Sequence, residues 1–293
     1  MKKFVLIAIL ILSALPALCD GTATLIQWPE WTVSSTENLD MGHKHTSFPL
    51  IYLLDGNPAT TWVFSGLGRS WDDSASGYAI TLTRGEHRKP ITVDCIWVMN
   101  GYNKSSELFL RNNRVTQLKL YINDKFIKTA ALSDNMGWHK ISIPKQPIKE
   151  IKLLFTRFQK GRDNDICISE IALYNGDVKV NFEMPQAVIY TPGSDCGDGQ
   201  LWCVVNRTGK RLATHDSESQ LQWSPNGKYV AGLSQNNQNK WHLWVVDSIK
   251  GRVIYDKASP IQEPFDLVWK DNQSFRLQPG PDEPGGKLVK IKE

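Results

Sequence analysis

Apolar and polar positions alternate along much of the chain. A repeat of two residues is typical of β-strands that bury one face and expose the other. The pattern therefore predicts strands whose apolar members point to one core. The clearest runs are Ile91-Val93-Cys95-Trp97-Met99, Leu118-Leu120-Ile122 and Ile151-Leu153-Phe155.

Turn-forming segments separate these runs, for example Asn123-Asp124 and residues 134–137. No segment after the first 19 residues carries a sustained apolar stripe of helical period with capping residues. These two observations predict an all-β fold of sandwich or barrel type.

The pattern and composition of the sequence change near residue 178. The alternating pattern ends at residues 174–177, and the following segment is richer in Trp, Gly and Asn. We therefore predict a β-sandwich domain at 20–178 and a second β domain at 186–293.

The second segment repeats itself. Leu201-Trp202-Cys203-Val204 is echoed 42 residues later by Leu243-Trp244-Val245-Val246, and a fixed period of this size indicates stacked β units. The segment Trp223-Ser224-Pro225-Asn226-Gly227 resembles the W-S-P-D-G turn of TolB-type propeller blades, with Asn226 in place of Asp. The segment is too short to close a ring of four or more blades, so we expect two to three incomplete blades, with a protein partner as one possible use.

The first 19 residues have the pattern of a secretory signal peptide. Lys2 and Lys3 precede an apolar run that ends at Leu18, and Ala17 and Cys19 supply small residues before a cleavage point. The run is shorter than the roughly 20 residues of a membrane-spanning helix. We expect an exported protein, periplasmic or extracellular, without a transmembrane anchor. The formal net charge of +4 is too small to argue for a nucleic-acid partner.

Four cysteines remain after the predicted cleavage: Cys95, Cys167, Cys196 and Cys203. An even number in an oxidising compartment favours two disulfides. A local Cys196–Cys203 bridge and a Cys95–Cys167 bridge are the first expectation. The crossed pairing and a zinc site are the alternatives.

One string points to a metal. Asp55, Asn57 and Thr60 surround a Gly-Pro turn, so that side-chain and backbone oxygens can converge. Ca²⁺ accepts six to eight hard oxygens at about 2.3–2.6 Å. A further carboxylate and carbonyl could come from Glu170 and Ser169 if that later strand ends beside the turn.

The D-G-N-P-x-T-x-W string and the later S-E-I resemble the two ends of a discoidin, or factor V/VIII type C, domain, a galactose-binding-like jelly roll. Residues 100–105, 111–115 and 165–170 are more narrowly similar to the variant found in the translocation domain of bacterial NAD glycohydrolases. The resemblance covers about residues 25–176. It implies glycan binding and a structural calcium held by the five residues named above. In the alternative interpretation, Asp55 only caps its turn and Glu170 pairs with an arginine.

Ligands of such sandwiches are held by loops at one end, through an aromatic face and planar polar groups. Trp71 lies in a polar loop, where a core tryptophan would be unusual. The other candidates flank the long connection after residue 100. The predicted ligand-binding residues are Trp71, Tyr102, Asn103, Lys104, Arg111, Asn112 and Arg114.

The sequence thus predicts a non-catalytic protein that binds carbohydrate. A protein-binding adaptor is the first alternative, and it would need a large apolar surface. A glycoside hydrolase is the second, with Asp72 and Asp73, or Asp163 and Asp165, as its carboxylate pair. The sequence contains no common nucleophile or phosphate-binding motif.

Overall fold

The computed structural model describes residues 24–36, 50–64, 78–163, 165–191, 202–215, 221–235, 238, 240–261, 264–279 and 286–291. The predicted signal peptide, Trp71 and the Asp72–Asp73 pair lie outside these residues. Within the described ranges, no helix has the length and apolar character needed to cross a membrane.

The first part of the chain is built from strands, as the alternating pattern predicts. A single 3-10 turn at Leu50–Leu53 and one short helix, α1 (Ser106–Arg111), interrupt them in the described residues. The strands are β1 (Thr24–Trp28), β2 (Trp31–Ser35), β3 (Trp62–Phe64), β4 (Ala79–Arg84), β5 (Ile91–Asn100), β6 (Arg114–Ile122), β7 (Lys125–Ala131), β8 (Trp138–Ile148), β9 (Glu150–Gln159), β10 (Ile166–Asn175) and β11 (Val178–Lys179).

The C-terminal part is also made of strands, which confirms the all-β prediction. They are β12 (Ala187–Thr191), β13 (Trp202–Asn206), β14 (Arg211–His215), β15 (Gln222–Trp223), β16 (Tyr229–Gln235), β17 (Trp241–Asp247), β18 (Arg252–Ala258), β19 (Pro264–Trp269), β20 (Ser274–Pro279) and β21 (Lys287–Lys290).

Two sheets form a sandwich in the first part. A nine-stranded sheet runs β14-β13-β12-β1-β2-β4-β9-β6-β7, and a five-stranded sheet runs β11-β10-β5-β8 with β3 on the open edge of β10. The alternating residues of β6 and β9, such as Leu118, Leu120 and Leu153, are fully buried in one core with Ile96 and Ile168 of the other sheet. The alternation in β6 and β9 therefore predicted this face of the core correctly.

The alternation in β5 is interrupted by a bulge. The register of β5 against β8 shifts between Val93 and Cys95, and beyond this irregularity the other face of the strand points inward. Ile96 and Val98 enter the core, while Trp97 packs edge-on against Trp138 and at a tilt against Tyr174 outside it. Trp97 was expected on the inner face, and the bulge is the reason that this prediction was wrong.

The register of β10 against its neighbours decides the first predicted disulfide. Cys95 lies opposite Tyr174 of β10, whereas Cys167 lies opposite Val63 of β3, so the two sulfurs occupy distant positions along the sheet. Both are buried free thiols, and burial raises the pKa of each. The predicted Cys95–Cys167 disulfide is therefore wrong, because the register cannot bring the two Cα atoms within the roughly 7 Å that a disulfide requires. Cys203 is buried on β13, and its predicted partner Cys196 lies outside the described residues.

Three connections gather at one end of the sandwich, which we call the loop end: residues 101–113, residues 132–137, and residues 160–163 with 165. Backbone bonds join the first to the third, from Asn113 N to Asp165 O at 2.8 Å and from Asp163 N to Arg111 O at 2.7 Å. The Asn103 side chain joins the first to the second by accepting a bond from Gly137 N at 2.8 Å. Helix α1 lies within the first connection. The Ser105 side chain caps it by accepting a bond from Leu108 N, although the sequence predicted no helix there.

The C-terminal strands form two further sheets. One runs β15-β16-β17-β18 and the other β19-β20-β21. Strands β12, β13 and β14, by contrast, continue the nine-stranded sheet of the sandwich through the pairing of β12 with β1. The sheet thus runs across the segment 178–186 where we placed a domain boundary. The division into domains at 20–178 and 186–293, and the likeness of the second to TolB blades, stay predictions.

Candidate functional site

The turn after the 3-10 segment brings the early candidates together. Asp55 Oδ1 accepts a bond from Asn57 N at 2.8 Å, and Gly56 between them has a φ of 76°, which glycine adopts without strain. Thr60 Oγ1 lies 2.9 Å from Asp55 Oδ2 and 2.7 Å from the Asn57 carbonyl oxygen. Carboxylate, carbonyl and hydroxyl oxygens of Asp55, Asn57 and Thr60 therefore meet in one small region.

Glu170 reaches the same region from β10. Its side chain is 2% exposed. Burial, a hydrogen bond with the Asp55 carboxyl and the charge of Asp55 together raise its pKa to about 9, against smaller opposing effects of the Asn57 backbone and of Lys179. The early turn and the late strand thus meet, as the sequence predicts, and two carboxyl groups share one buried place.

One oxygen of Glu170 is left over. Oε1 is buried and has no hydrogen-bond partner among the described residues. A buried, unsatisfied carboxylate oxygen costs free energy, and a cation beside two carboxyl groups would remove that cost. The oxygens of Asp55, Asn57, Thr60 and Glu170 are of the type that Ca²⁺ prefers.

The hydroxyl of Ser169 does not face this region. Ser169 Oγ donates to the Gly101 carbonyl at 2.9 Å and accepts from Asn103 N at 3.1 Å. Successive residues of a strand point to opposite faces, so Glu170 faces the turn while the Ser169 side chain holds the loop end. Of the predicted metal ligands, Ser169 could contribute only its backbone carbonyl.

No cluster of three or more His, Cys, Asp or Glu side chains suited to a metal occurs in the described part of the chain. The Asp55–Glu170 pair has two acidic members, with neutral oxygens around it. This composition suits a hard cation better than zinc, which favours nitrogen and sulfur ligands.

Asn103, one of the predicted ligand-binding residues, is used by the fold. Asn103 Nδ2 donates to Asn100 O at 2.6 Å, and Asn103 Oδ1 accepts from Gly137 N at 2.8 Å. Its amide therefore joins two connections of the loop end, and these hydrogen-bonding atoms are already engaged within the protein.

Arg114 is likewise structural. The side chain is 4% exposed, and Nε and Nη2 bind both carboxyl oxygens of Asp134 at 2.8 and 2.9 Å. Nη1 donates to the carbonyl oxygens of Asn112 and Leu110 at the end of α1. The prediction that Arg114 contacts a ligand is corrected accordingly, because its donors already hold α1 to the 132–137 connection.

The remaining candidates are divided between the scaffold and the surface. Asn112 Nδ2 donates to Leu108 O at 2.8 Å. Arg111 pairs with Asp163 at 2.9 Å and remains partly exposed. Lys104 is exposed and Tyr102 is half-buried, and burial raises the pKa of the Tyr102 phenol.

Sequence reasoning missed two aromatic residues. Tyr52 lies beside the acidic pair: burial raises the pKa of its phenol, and the charges of Asp55 and Tyr102 add to the rise. Trp138 opens β8 at the loop end and is 39% exposed. Its ring packs edge-on against Trp97 at 6.5 Å. A tryptophan directly after a Gly-containing turn was the available signal for Trp138.

Nearby apolar side chains extend this surface. Met136 is partly exposed and contacts Ser106 of α1, and Leu110, one helical turn farther on, is 62% exposed. We call Leu110, Met136 and Trp138 the apolar ridge. It stands at the loop end.

The pair of Asp55 and Glu170 fits glycoside hydrolysis poorly. Asp55 and Glu170 bond directly to each other, whereas glycosidases keep their carboxyl groups at least about 5 Å apart to admit the sugar. Asp163 is paired with Arg111, and burial, then the charge of Asp163, raises the pKa of Asp165.

Comparison with known families identifies the first part of the chain. Residues 28–174 match the family model described as the NAD glycohydrolase translocation F5/8 type C domain. A search of curated proteins finds no match to the chain.

Among similar solved structures is the family 32 carbohydrate-binding module of Clostridium perfringens NanJ in complex with galactose, at 19% identity and a TM-score of 0.34, covering 52% of this chain and 99% of that one. Another is CpGH89CBM32-5 of the same organism in complex with GalNAc-β-1,3-galactose, at 13% identity and a TM-score of 0.38, covering 50% and 95%. A third is the CBM32 of AlyQ in complex with 4,5-unsaturated mannuronic acid, at 14% identity and a TM-score of 0.34, covering 52% and 98%.

The raised pKa of Glu170 predicts a pH-dependent stability in calcium-free protein. Between its ordinary value of 4.5 and about 9, the folded protein keeps a proton on Glu170 that the unfolded chain has released. The free energy of unfolding should therefore fall as pH rises through this window, by up to about 1.4 kcal/mol per pH unit.

The check is urea unfolding at pH 5, 7 and 8.5 in the presence of a chelator, with Glu170→Gln as the comparison. The glutamine variant should lack this part of the slope, since it has no proton to release. Equal slopes in the two proteins would contradict the assignment.

Proposed function

The chain belongs to the NAD glycohydrolase translocation F5/8 type C family, and we propose that its sandwich binds carbohydrate at the loop end, next to a structural calcium. The protein is non-catalytic and exported in this proposal. The observation that supports it is the contact of Asp55 with Glu170, two acidic side chains close to the oxygens of Asn57 and Thr60 and to connections with exposed side chains.

The calcium would be held by Asp55 and Glu170, with oxygens of Asn57 and Thr60 and the carbonyl of Ser169. The unpartnered Glu170 Oε1 supports this assignment. When bound, the ion neutralises the pair and fixes the turn against β10. The Ser169 side chain links the proposed calcium site to the loop end, because its hydroxyl bonds to the backbone of Gly101 and Asn103.

In this proposal the main contact of the sugar is the exposed ring of Trp138. Pyranose C–H groups pack against the face of an indole, and exposed aromatic rings at binding surfaces contribute strongly to affinity. Lys104 and the partly exposed Arg111 lie in the connection beside it and could bind hydroxyl or acidic groups.

A protein-binding adaptor remains the second candidate. The apolar ridge favours it, since Leu110 and Met136 are exposed apolar side chains that a sugar does not require. The two functions predict different ligands for one surface.

Calcium binding predicts a thermal shift in the full chain. A ligand that binds only the native state stabilises it by about 2.7 kcal/mol at a hundred times its Kd, so calorimetry should show a higher Tm with millimolar Ca²⁺ than with chelator. Asp55→Asn and Glu170→Gln should lose the shift. Asp163→Asn, which removes a carboxylate at the same end but outside the pocket, should keep it. An unchanged wild-type Tm would remove calcium from the proposal.

Glycan binding predicts a residue-specific loss on an array probed with the full chain. Trp138→Ala should lower the affinity for the bound glycan by about tenfold, because the stacking and burial of the indole are lost. Phe126→Ala is the matched control, because Phe126 is 55% exposed on the β6–β7 hairpin at the opposite end. A wild-type protein that binds no glycan would overturn the carbohydrate proposal and favour the adaptor.

A further inference from the structure

We infer that strand β1 is shared by two structures, the sandwich and a four-stranded unit built from β1, β12, β13 and β14, so that the sandwich and this unit fold as one cooperative body. We call this four-stranded sheet the first unit and the sheet β15–β18 the second unit. The inference does not depend on the proposed function.

The outer strands of the two units are built alike. In the first unit, the pairing of β13 with β14 contains a bulge between Val204 and Val205. In the second unit, the pairing of β17 with β18 contains a bulge between Val245 and Val246. A bulge at the same place in two hairpins is a specific feature, so we take these strands as equivalent.

The turns that follow are alike as well. The Oδ1 atoms of Asn206 and Asp247 each accept two backbone N–H bonds at 2.8–3.0 Å. Gly209 and Gly251 then take positive φ values of 77° and 63° and donate back to the Asn206 and Asp247 carbonyls. Asn206 and Asp247 therefore hold the same position.

The strands that pair with β13 and β17 are equivalent as well. Ala187 of β12 lies opposite Asn206, and Tyr229 of β16 lies opposite Asp247. Strand β12 thus corresponds to β16, with Ala187 in the place of Tyr229.

The innermost strand comes from the other end of the chain. Two residues beyond the pair just named, Ile189 lies opposite Gln27 of β1 and Ala231 lies opposite Gln222 of β15. A tryptophan follows each glutamine. Strand β1 therefore occupies in the first unit the position that β15 occupies in the second, while its other edge pairs with β2 of the sandwich.

The packing of β12 shows why the two structures depend on each other. Val188 and Tyr190 belong to the sandwich core. Ala187 and Ile189 belong to a separate cluster formed with the second unit. A strand buried on both faces cannot be removed without exposing two apolar surfaces, and loss of β12 would also leave one edge of β1 unpaired.

A cut at the predicted domain boundary tests this directly. A specific protease site placed at the exposed Gly176–Asp177 turn, where the space around the glycine is open, allows the full chain to be nicked after folding. We expect the two pieces to co-elute from size exclusion under native conditions and to separate only in denaturant. Two pieces that separate natively while each stays folded would overturn the inference.

A pair of substitutions provides a test that needs no insertion. Ile189→Ala truncates a side chain that packs in the cluster between the first and second units and not in the sandwich core, so independent domains would leave β2 and β4 unaffected. We expect hydrogen exchange of the slowest amides in β2 and β4 to accelerate at least about tenfold. Val253→Ala, on the exposed strand β18, is the control and should change them little. Unchanged exchange in β2 and β4 of the Ile189→Ala protein would contradict a shared body.

Discussion

The contact between Asp55 and Glu170 is the constraint on which the site depends. It joins a turn near the start of the sandwich to its last long strand, and β3 supports it by pairing with β10 through Val63 and Cys167. Two carboxyl groups in one buried place cannot both be charged without compensation. In the free protein the raised pKa of Glu170 keeps a proton on its carboxyl group, so that only one of the two groups is charged. A cation would compensate the charge in the proposed bound state.

Polar groups inside the loop end hold the connections in place and leave few side chains free to bind. The Asn103 amide bonds to the backbone of Asn100 and Gly137, and Arg114 pairs with Asp134. Gly161 donates its N–H to Asn113 Oδ1 at 2.8 Å. Hydrogen bonds of this kind in a buried place are stronger than in water, although Asn113 Nδ2 is buried without a partner among the described residues. The side chains that stay exposed for binding at the loop end are Trp138 and its apolar neighbours. The connections that hold them are already ordered without a ligand.

The sequence predicted what depends on local pattern. The alternating strands β6 and β9, and the Asn123-Asp124 turn with its two positive φ values of 48° and 63°, follow from residue type and spacing alone. The meeting of Asp55 with Glu170 followed from the family resemblance. The bulge in β5 could not be predicted, since nothing in the alternation marks it, and it displaced Trp97. The separation of Cys95 from Cys167 depends on the register of β10 against β5 and β3, which residue type and spacing do not give. The role of Arg114 was missed for a similar reason: an arginine at the start of a strand looks the same in sequence whether it contacts a ligand or pairs with Asp134.

The most direct test of the acidic contact is the carboxyl carbon shift of Glu170, followed by nuclear magnetic resonance against pH in calcium-free protein. The structure predicts a transition near pH 9 in the wild type and a clearly lower one in Asp55→Asn, because the neighbouring charge is gone. A transition near the ordinary 4.5 in both proteins would mean that the two groups do not meet.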